Sequence, residues 1–262
     1  INVGIIGSGS WALALSKILI NSAITIKARD INKAKKKFYK NRKLLIVNSF
    51  KSLMNSDIIF LANPSQTMRS VLKEMPKKIN SKFVICSKGV EKNTNMLMSE
   101  VLTEFFPKTD YAILSGPNFS FEVMKGLPTA TVLSSENLKF TKHISEIIIQ
   151  DKFRTYFNND VVGTQIGRAM KNVIAIASGF VIGRGLGLNA NASIITRGLS
   201  EIIDLGIKMG AKKKTFYGLS GIGDLSLTCS SLKSRNTKLG YLLAKRKKEI
   251  SGEVIEGMES CE

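Results

Sequence analysis

The pattern of apolar and polar positions divides the chain into two textures. "INVGIIG", residues 1–7, is a β-branched run that stops at glycine, which predicts a buried strand. "SGSWALALSKILI" follows, with Trp11, Leu15, Ile18 and Leu19 at helical spacing. "AITIKARD" (23–30), "DIIFLANPSQ" (57–66) and "KFVICSKGVE" (82–91) are further short apolar runs ending in polar turns, as parallel strands do at a ligand-bearing edge. From Asp160 the runs turn helical: "GTQIGRAMKNVIAIASGFVIGRG", "SIITRGLSEIIDLGIKMG" and "NTKLGYLLAKRKKEI". The pattern predicts an α/β domain with a doubly wound, Rossmann-like sheet over residues 1–159 and an all-helical domain over 160–262, joined within "NNDVVG". The lysine-rich piece at 33–43 reads as a solvated helix face.

Between the first strand and the first helix stands Gly7-Ser8-Gly9-Ser10-Trp11-Ala12, the G-x-G-x-x-A form of the dinucleotide fingerprint. Gly7 allows the tight turn, Gly9 lets a pyrophosphate approach the backbone, and Ala12 lets the helix pack on the strand with its N-terminus facing the phosphates. Arg29 and Asp30 end the second strand. An acid there suits a ribose diol and an arginine suits a 2′-phosphate, so NAD and NADP both stay open as cofactor. Lys88, at a strand's carboxyl end, reads equally as a functional cation or a surface lysine, and Asn63-Pro64-Ser65 as an ordinary turn.

Composition narrows the chemistry. At 44% hydrophobic and 23% charged, the 262 residues can bury a real core. The most apolar run, residues 172–183, counts 12 residues, short of the roughly 20 that span a bilayer, so no stable membrane insertion is expected. No basic residue precedes Lys17, which argues against a secretory signal and for a cytoplasmic chain. Cys86, Cys229 and Cys261 lack metal-ligand spacing, and His143 reads as an exposed helical residue, so no metal is expected and another group must move any proton. The net charge of +19 invites nucleic acid, but 30 of the 39 cations are lysines scattered over the chain without interleaved aromatics. A solvated lysine surface attracting small anions is the expectation, not a nucleic-acid partner.

Lys171 sits at the start of an apolar stretch with Val173, Ile174, Ile176 and Ala177. Helical register puts Thr164, Arg168, Lys171, Ala175 and Ser178 on one small or polar face and Met170, Val173, Ile174 and Ala177 toward the core. On that reading Lys171 looks out over a cleft.

"GSGSWALAL", "SKGVE", "LSGPNFSFEVMKGLPTATV", "RAMKNVIAIASG", "ITRGLSEI", "GLSGIGDLSLTCSS" and "SRN" occur in this order between residue 3 and Gly257. The set resembles bacterial NAD(P)-dependent glycerol-3-phosphate dehydrogenase, whose helical domain is 6-phosphogluconate-dehydrogenase-like. The resemblance implies interconversion of dihydroxyacetone phosphate and sn-glycerol 3-phosphate, a precursor of phospholipids. It implies that Lys171 is the catalytic lysine, a proton source suited to a chain without a usable histidine. It places Asp224 as that lysine's acidic partner, a helix N-cap being the plainer alternative, with Thr228 one turn on. It implies substrate contacts at Lys88, Gly116, Asn118 and Asn172, and phosphate binding by Ser234, Arg235 and Asn236. Cofactor contacts are implied at Ser10, Trp11, Arg29, Lys88, Ser120, Arg235, Val254 and Glu256, beside Gly7, Gly9 and Ala12.

The chain departs from that family's pattern in places. Asn118 and Ser120 stand where serine and alanine are usual, and "GRAMKN" replaces a more usual "GGALKN", placing Arg168 one turn before the lysine. The stretch from Asp30 to Asp57 is shorter, and the chain ends at "EGMESCE", where relatives continue through several helices, so a truncated second domain is expected. The second reading is accordingly a non-catalytic nucleotide-binding remnant, against which stands retention of Lys88, Lys171, Asp224, Thr228, Arg235 and Asn236 together. A homodimer is one option for assembly.

Overall fold

A computed structural model describes residues 1–38, 44–148, 151–246 and 256–259. The β-branched runs form β1 (Asn2–Ile6), β2 (Ala23–Lys27), β3 (Leu45–Val47), β4 (Ile58–Leu61), β5 (Lys82–Ile85), β6 (Tyr111–Ser115), β7 (Thr129–Ser134) and β8 (Phe153–Asn158). They make an eight-stranded sheet of order β3-β2-β1-β4-β5-β6-β7-β8. β1 pairs in parallel with both β2 and β4, with Ile5 opposite Ile26 on one side and Phe60 on the other. Strand order therefore reverses beside β1, and ligands of such sheets bind beyond the strand ends at that switch point.

Helices α1 (Ser10–Ile18), α2 (Ile31–Phe38), α3 (Met68–Glu74), α4 (Met98–Phe105), α5 (Ser120–Lys125) and α6 (Leu138–Ile148) accompany the sheet. Apolar residues at three- and four-residue spacing explain how they pack: Leu15 and Ile18 of α1, and Phe140, Ile144 and Ile148 of α6, are buried in one cluster with Val3, Ile26 and Phe60. His143 stays exposed on α6, as the sequence predicts.

The helical part comprises α7 (Val161–Arg184), α8 (Gly187–Lys208), α9 (Lys213–Phe216), a single π turn over Leu219–Gly223, α10 (Asp224–Cys229), α11 (Arg235–Ala244) and α12 (Glu256–Glu259). The chain forms two compact units: residues 1–87, 98–114 and 118–159, and residues 88–97, 115–117 and 160–262. Lys88 and Gly116, which the sequence places in the first domain, thus pack with the helical unit.

Two expectations about α7 are corrected. The 12-residue apolar run is part of a 24-residue helix long and apolar enough to cross a bilayer, although most of that stretch is buried within the protein, as in a core helix. The burial of its faces is also reversed. Thr164, Arg168, Lys171, Ala175 and Ser178 are buried, whereas Met170, Val173, Ile174 and Ala177 are half-buried. Close backbone packing is the reason. A Cβ at Gly179 would lie 1.9 Å from the Thr237 carbonyl oxygen, and one at Gly167 would lie 2.6 Å from that of Ser220. The small-residue face is the one that neighbouring backbone can approach.

Candidate active site

The nucleotide-binding motif lies at the sheet's switch point. Gly7 ends β1 with φ 114°, and a Cβ there would lie 2.7 Å from the Ala62 carbonyl oxygen just beyond β4. Only glycine fits both the backbone and the space. Gly9 is different: its φ is −72° and a Cβ would meet nothing within 4 Å. The protein itself therefore leaves room beside Gly9, at the start of α1, where no side chain caps the helix. Exposed N–H groups at such a terminus favour an anion. Ala12 is fully buried, Trp11 packs partly buried on the core, and Ser10 is exposed in the first turn. Beyond β4, the buried Asn63 Oδ1 accepts no hydrogen bond from any described residue and stands as an unsatisfied acceptor past the strand end. This loop, helix terminus and orphaned acceptor fit a dinucleotide.

Arg29 and Asp30 are exposed where β2 ends, and Asp30 Oδ1 accepts the Lys33 backbone N–H at 2.8 Å, which caps α2. Lys37 lies on the exposed helix face that the sequence predicts. Its Nζ donates to the Ser8 carbonyl oxygen at 3.1 Å, and burial followed by repulsion from Lys33 lowers its pKa. Asn118 donates from Nδ2 to Thr131 Oγ1 at 3.1 Å, and Ser120 opens α5.

In the helical unit, four predicted residues converge. Lys171 Nζ donates to Asp224 Oδ1 at 2.6 Å and to Thr228 Oγ1 at 2.7 Å. Thr228 in turn donates to the Asp224 backbone carbonyl at 2.6 Å, one turn back in α10. Lys88 Nζ lies 3.7 Å from Asp224 Oδ2. Lys171 is only 3% exposed, so it does not look out into open space as the helical register suggests. Asp224 and Thr228 close over it. Asp224 follows Gly223 as the first residue of α10 and makes no N-cap bond with its side chain, so the plain capping reading fails.

The surrounding backbone sets these positions. Asp160 Oδ1 accepts the Gly163 N–H and caps α7, while Oδ2 accepts Lys212 N–H and the Thr215 hydroxyl at 2.8 and 2.6 Å. One carboxylate thereby ties the helix of Lys171 to the segment that leads to Asp224. Aspartate three residues before glycine at a helix start carries that signal in sequence, but the long-range half of the clamp does not. The pairing of Lys88 with Asp224, 136 residues away, is likewise invisible without the fold.

Two cations around one carboxylate shape the electrostatics. Burial pulls Lys171 down to a pKa of about 7; Asp224 opposes this and the Lys88 charge adds to it. Burial pushes Asp224 up, but the charges of Lys171, Lys88 and Arg168 prevail and hold it below the usual carboxylate range. The result is a carboxylate beside an amine that titrates near neutrality.

A second polar group adjoins it. Asn236 donates from Nδ2 to Asn172 Oδ1 at 3.0 Å and accepts the Gly257 N–H at 2.9 Å. Asn172 Nδ2 is buried with no acceptor among the described residues. Ser234 caps α11 by accepting the Thr237 N–H, and Arg235 is exposed as that helix's first residue. Gly116 is buried with φ 127°. Val254 and the side chain of Glu256 lie outside the described residues.

Comparison with known proteins covers both units. Residues 2–141 match the family model for the NAD-dependent glycerol-3-phosphate dehydrogenase N-terminus, and residues 160–262 match the one for its C-terminus. Glycerol-3-phosphate dehydrogenase [NAD(P)+] of Clostridium perfringens is 36% identical over 99% of this chain and 85% of its own length. The Clostridium botulinum protein of the same name is 39% identical with the same coverage. The crystal structure of glycerol-3-phosphate dehydrogenase from Coxiella burnetii superposes with a TM-score of 0.89 at 31% identity, over 99% of this chain and 86% of that one. With both units matched in order and nearly every residue covered, the chain belongs to the NAD-dependent glycerol-3-phosphate dehydrogenase family.

Proposed function

We propose that the chain interconverts dihydroxyacetone phosphate and sn-glycerol 3-phosphate with NAD(H) or NADP(H), and that Lys171 is the proton donor and acceptor. The observation that carries this assignment is the buried Lys171–Asp224–Thr228 cluster, with Lys88 on the far oxygen of the carboxylate. When bound, the nicotinamide exchanges the hydride. The loop from Gly7 to Ala12, with Trp11 and Arg29, would hold the dinucleotide, and α1's uncapped N-terminus would face its phosphates.

Reducing a ketone places negative charge on its oxygen, which needs a donor at that atom. The Lys171 ammonium has three N–H bonds, and Asp224 and Thr228 take two of them. The third is left for the substrate oxygen. A pKa of about 7 lets the amine both give and regain a proton near neutral pH, as a general acid–base should. Asp224 holds the charge that Lys171 carries before donation. The substrate phosphate is assigned to Ser234, Arg235 and Asn236 at the start of α11, with the unsatisfied Asn172 Nδ2 as a further donor.

The remnant reading predicts nucleotide binding without turnover. It gives no reason for a buried lysine held to a carboxylate and a hydroxyl, which a protein without chemistry gains nothing by keeping. We place the reaction in the cytoplasm, supplying phospholipid backbones, with no nucleic-acid or membrane partner; the scattered lysines support that reading. The test is oxidation of NADH and NADPH with dihydroxyacetone phosphate by the wild type and by Lys171→Met. Turnover in the wild type, lost by about a hundredfold or more in the variant, is the expected result. Turnover that survives the substitution would remove Lys171 from the mechanism.

A further inference from the structure

We propose that Arg168 is a positioning residue for the proton transfer: its buried guanidinium, one helical turn before Lys171, is the permanent counter-charge of Asp224 once Lys171 has given up its proton. The inference rests on reading Lys171 as the proton donor and acceptor, and it concerns what holds the site together while that lysine is neutral.

Arg168 is 2% exposed, on the small and polar face of α7 that also carries Lys171 and Ser178. A charged side chain is almost never buried this fully unless its charge is matched. Residues three apart on a helix are neighbours, so Arg168 and Lys171 bring two cations to one covered face. The carboxylate that answers them is Asp224. Burial raises its pKa, and the charges of Lys171, Lys88 and Arg168, in that order, outweigh the burial.

Asp224 is itself 1% exposed, and its two oxygens are held differently. Oδ1 accepts from Lys171 at 2.6 Å. Oδ2 accepts no hydrogen bond from any described residue, and Lys88 Nζ lies 3.7 Å from it. The firmest charged partner of the carboxylate is therefore the ammonium that reacts. When the substrate oxygen takes its proton, an Nζ–H bond of Lys171 breaks, an O–H bond forms, and the ammonium becomes a neutral amine. A buried carboxylate beside a neutral partner is strongly disfavoured unless another cation stands by.

The neighbouring elements narrow the choice of that cation. Lys88 is set back from the carboxylate, and 24% of its side chain meets solvent. Cys229 of α10 is pushed up to about 11 by burial and stays neutral. Asp160, at the start of α7, has its oxygens committed to Gly163, Lys212 and Thr215. The π turn over 219–223 carries no ionisable side chain, and the charged residues of α8, α9 and α11, Asp204, Lys213, Arg235 and Lys238 among them, are exposed. Arg168 alone joins full burial to a charge that proteins do not remove. Its field is the same before and after the proton moves.

The pH at which Lys171 loses its proton supplies the test. It is read from kcat in both directions and, without turnover, from the Lys171 Nζ resonance of lysine-labelled protein, assigned by its absence in Lys171→Met. The wild-type midpoint should lie near pH 7. Removing a fixed cation favours the charged form of its neighbour, so Arg168→Met should move the midpoint up by about one pH unit and lower oxidation at neutral pH about fivefold. Removing the Asp224 charge should act in the opposite direction. Arg168→Gln, whose amide still hydrogen-bonds, should shift as far, and it decides the matter if Arg168→Met does not fold. Arg168→Lys keeps a cation, but one that titrates when buried, so its midpoint should fall between those of the wild type and Arg168→Met. An unmoved midpoint in a folded neutral variant would overturn the inference and leave Arg168 a packing residue. So would a shift in Arg168→Lys as large as in Arg168→Met, since charge would then not be the agent. A wild type whose two directions respond to pH in parallel would overturn the proton reading of Lys171, and this inference with it.

Discussion

Lys171 and Asp224 lie 53 residues apart in sequence and 2.6 Å apart in the fold, both almost wholly buried. Neither charge is tolerable there alone, because an unpaired buried ion costs several kcal/mol. The carboxylate does more than neutralise, since it also opposes the burial that drives the amine toward its neutral form.

Asp224→Asn should therefore alter both stability and chemistry. The amide keeps the shape but removes the charge, leaving Lys171 and Lys88 without their shared carboxylate. Unfolding free energy should fall by about 3 kcal/mol, the scale for breaking a buried pair. Turnover in the reducing direction should fall about a hundredfold at neutral pH, because fewer molecules hold Lys171 protonated. Urea titration and steady-state rates on one preparation check both. A stable, fully active variant would remove Asp224 from the site.

The two reaction directions should depend on pH with opposite signs. Ketone reduction needs Lys171 with its proton, so its rate should fall as pH rises through about 7. Alcohol oxidation needs the neutral amine, so its rate should rise over the same range. Because Asp224 raises the lysine's pKa, Asp224→Asn should move the residual reduction profile to lower pH. Lys171→Arg, which does not deprotonate in this range, should lose the oxidation direction altogether. Profiles of kcat in both directions supply the test, and parallel profiles would rule out a proton exchanged at Lys171.

Gly7 and Gly9 should separate folding from binding. Gly7→Ala combines a positive φ with a Cβ 2.7 Å from the Ala62 oxygen, so the protein should lose about 2 kcal/mol or more of stability. Gly9→Ala places a methyl group in open space on an ordinary backbone and should leave the melting temperature unchanged. Its cofactor dissociation constant should nevertheless rise about tenfold or more, because that space is what a pyrophosphate would fill. Unchanged cofactor affinity in Gly9→Ala would mean that the dinucleotide approaches elsewhere.

Local signals in the sequence were enough to find half of the strands and the long helices, but not β3, β6, β7 or β8. A β-branched run ending in glycine gave β1, short apolar runs ending in polar turns gave β2, β4 and β5, and Trp11, Leu15 and Ile18 gave α1. What the sequence could not give was burial around charged residues. Helical register sorted Lys171 onto a polar face and inferred exposure, yet Gly179 and Gly167 let backbone close onto that face. Periodicity records which residues share a side, and tertiary packing decides which side is covered. The same limit hid Lys88 beside Asp224 and the double grip of Asp160, which depend on contacts more than 50 residues apart. The contact of Lys37 with Ser8 was missed for a simpler reason. In a run of lysines, nothing in the pattern marks the one that turns back.

Arg235→Ala should weaken binding of the substrate phosphate far more than that of the cofactor. Arg235 is exposed as the first residue of α11, whose cap is Ser234, so Arg235→Ala should leave the melting temperature within a degree or two. A charge-assisted contact to a phosphate is worth about 1.5–3 kcal/mol, which corresponds to a rise in KM for dihydroxyacetone phosphate of roughly tenfold to a hundredfold. Dihydroxyacetone, which lacks the phosphate, provides the control. It should be a poor substrate for the wild type, and Arg235→Ala should make it no poorer. If the variant loses the same factor on both substrates, the arginine acts on the cofactor or on the fold. In that case the phosphate contact passes to other donors of the unit, with Lys88 and the Asn172 amide the first to test.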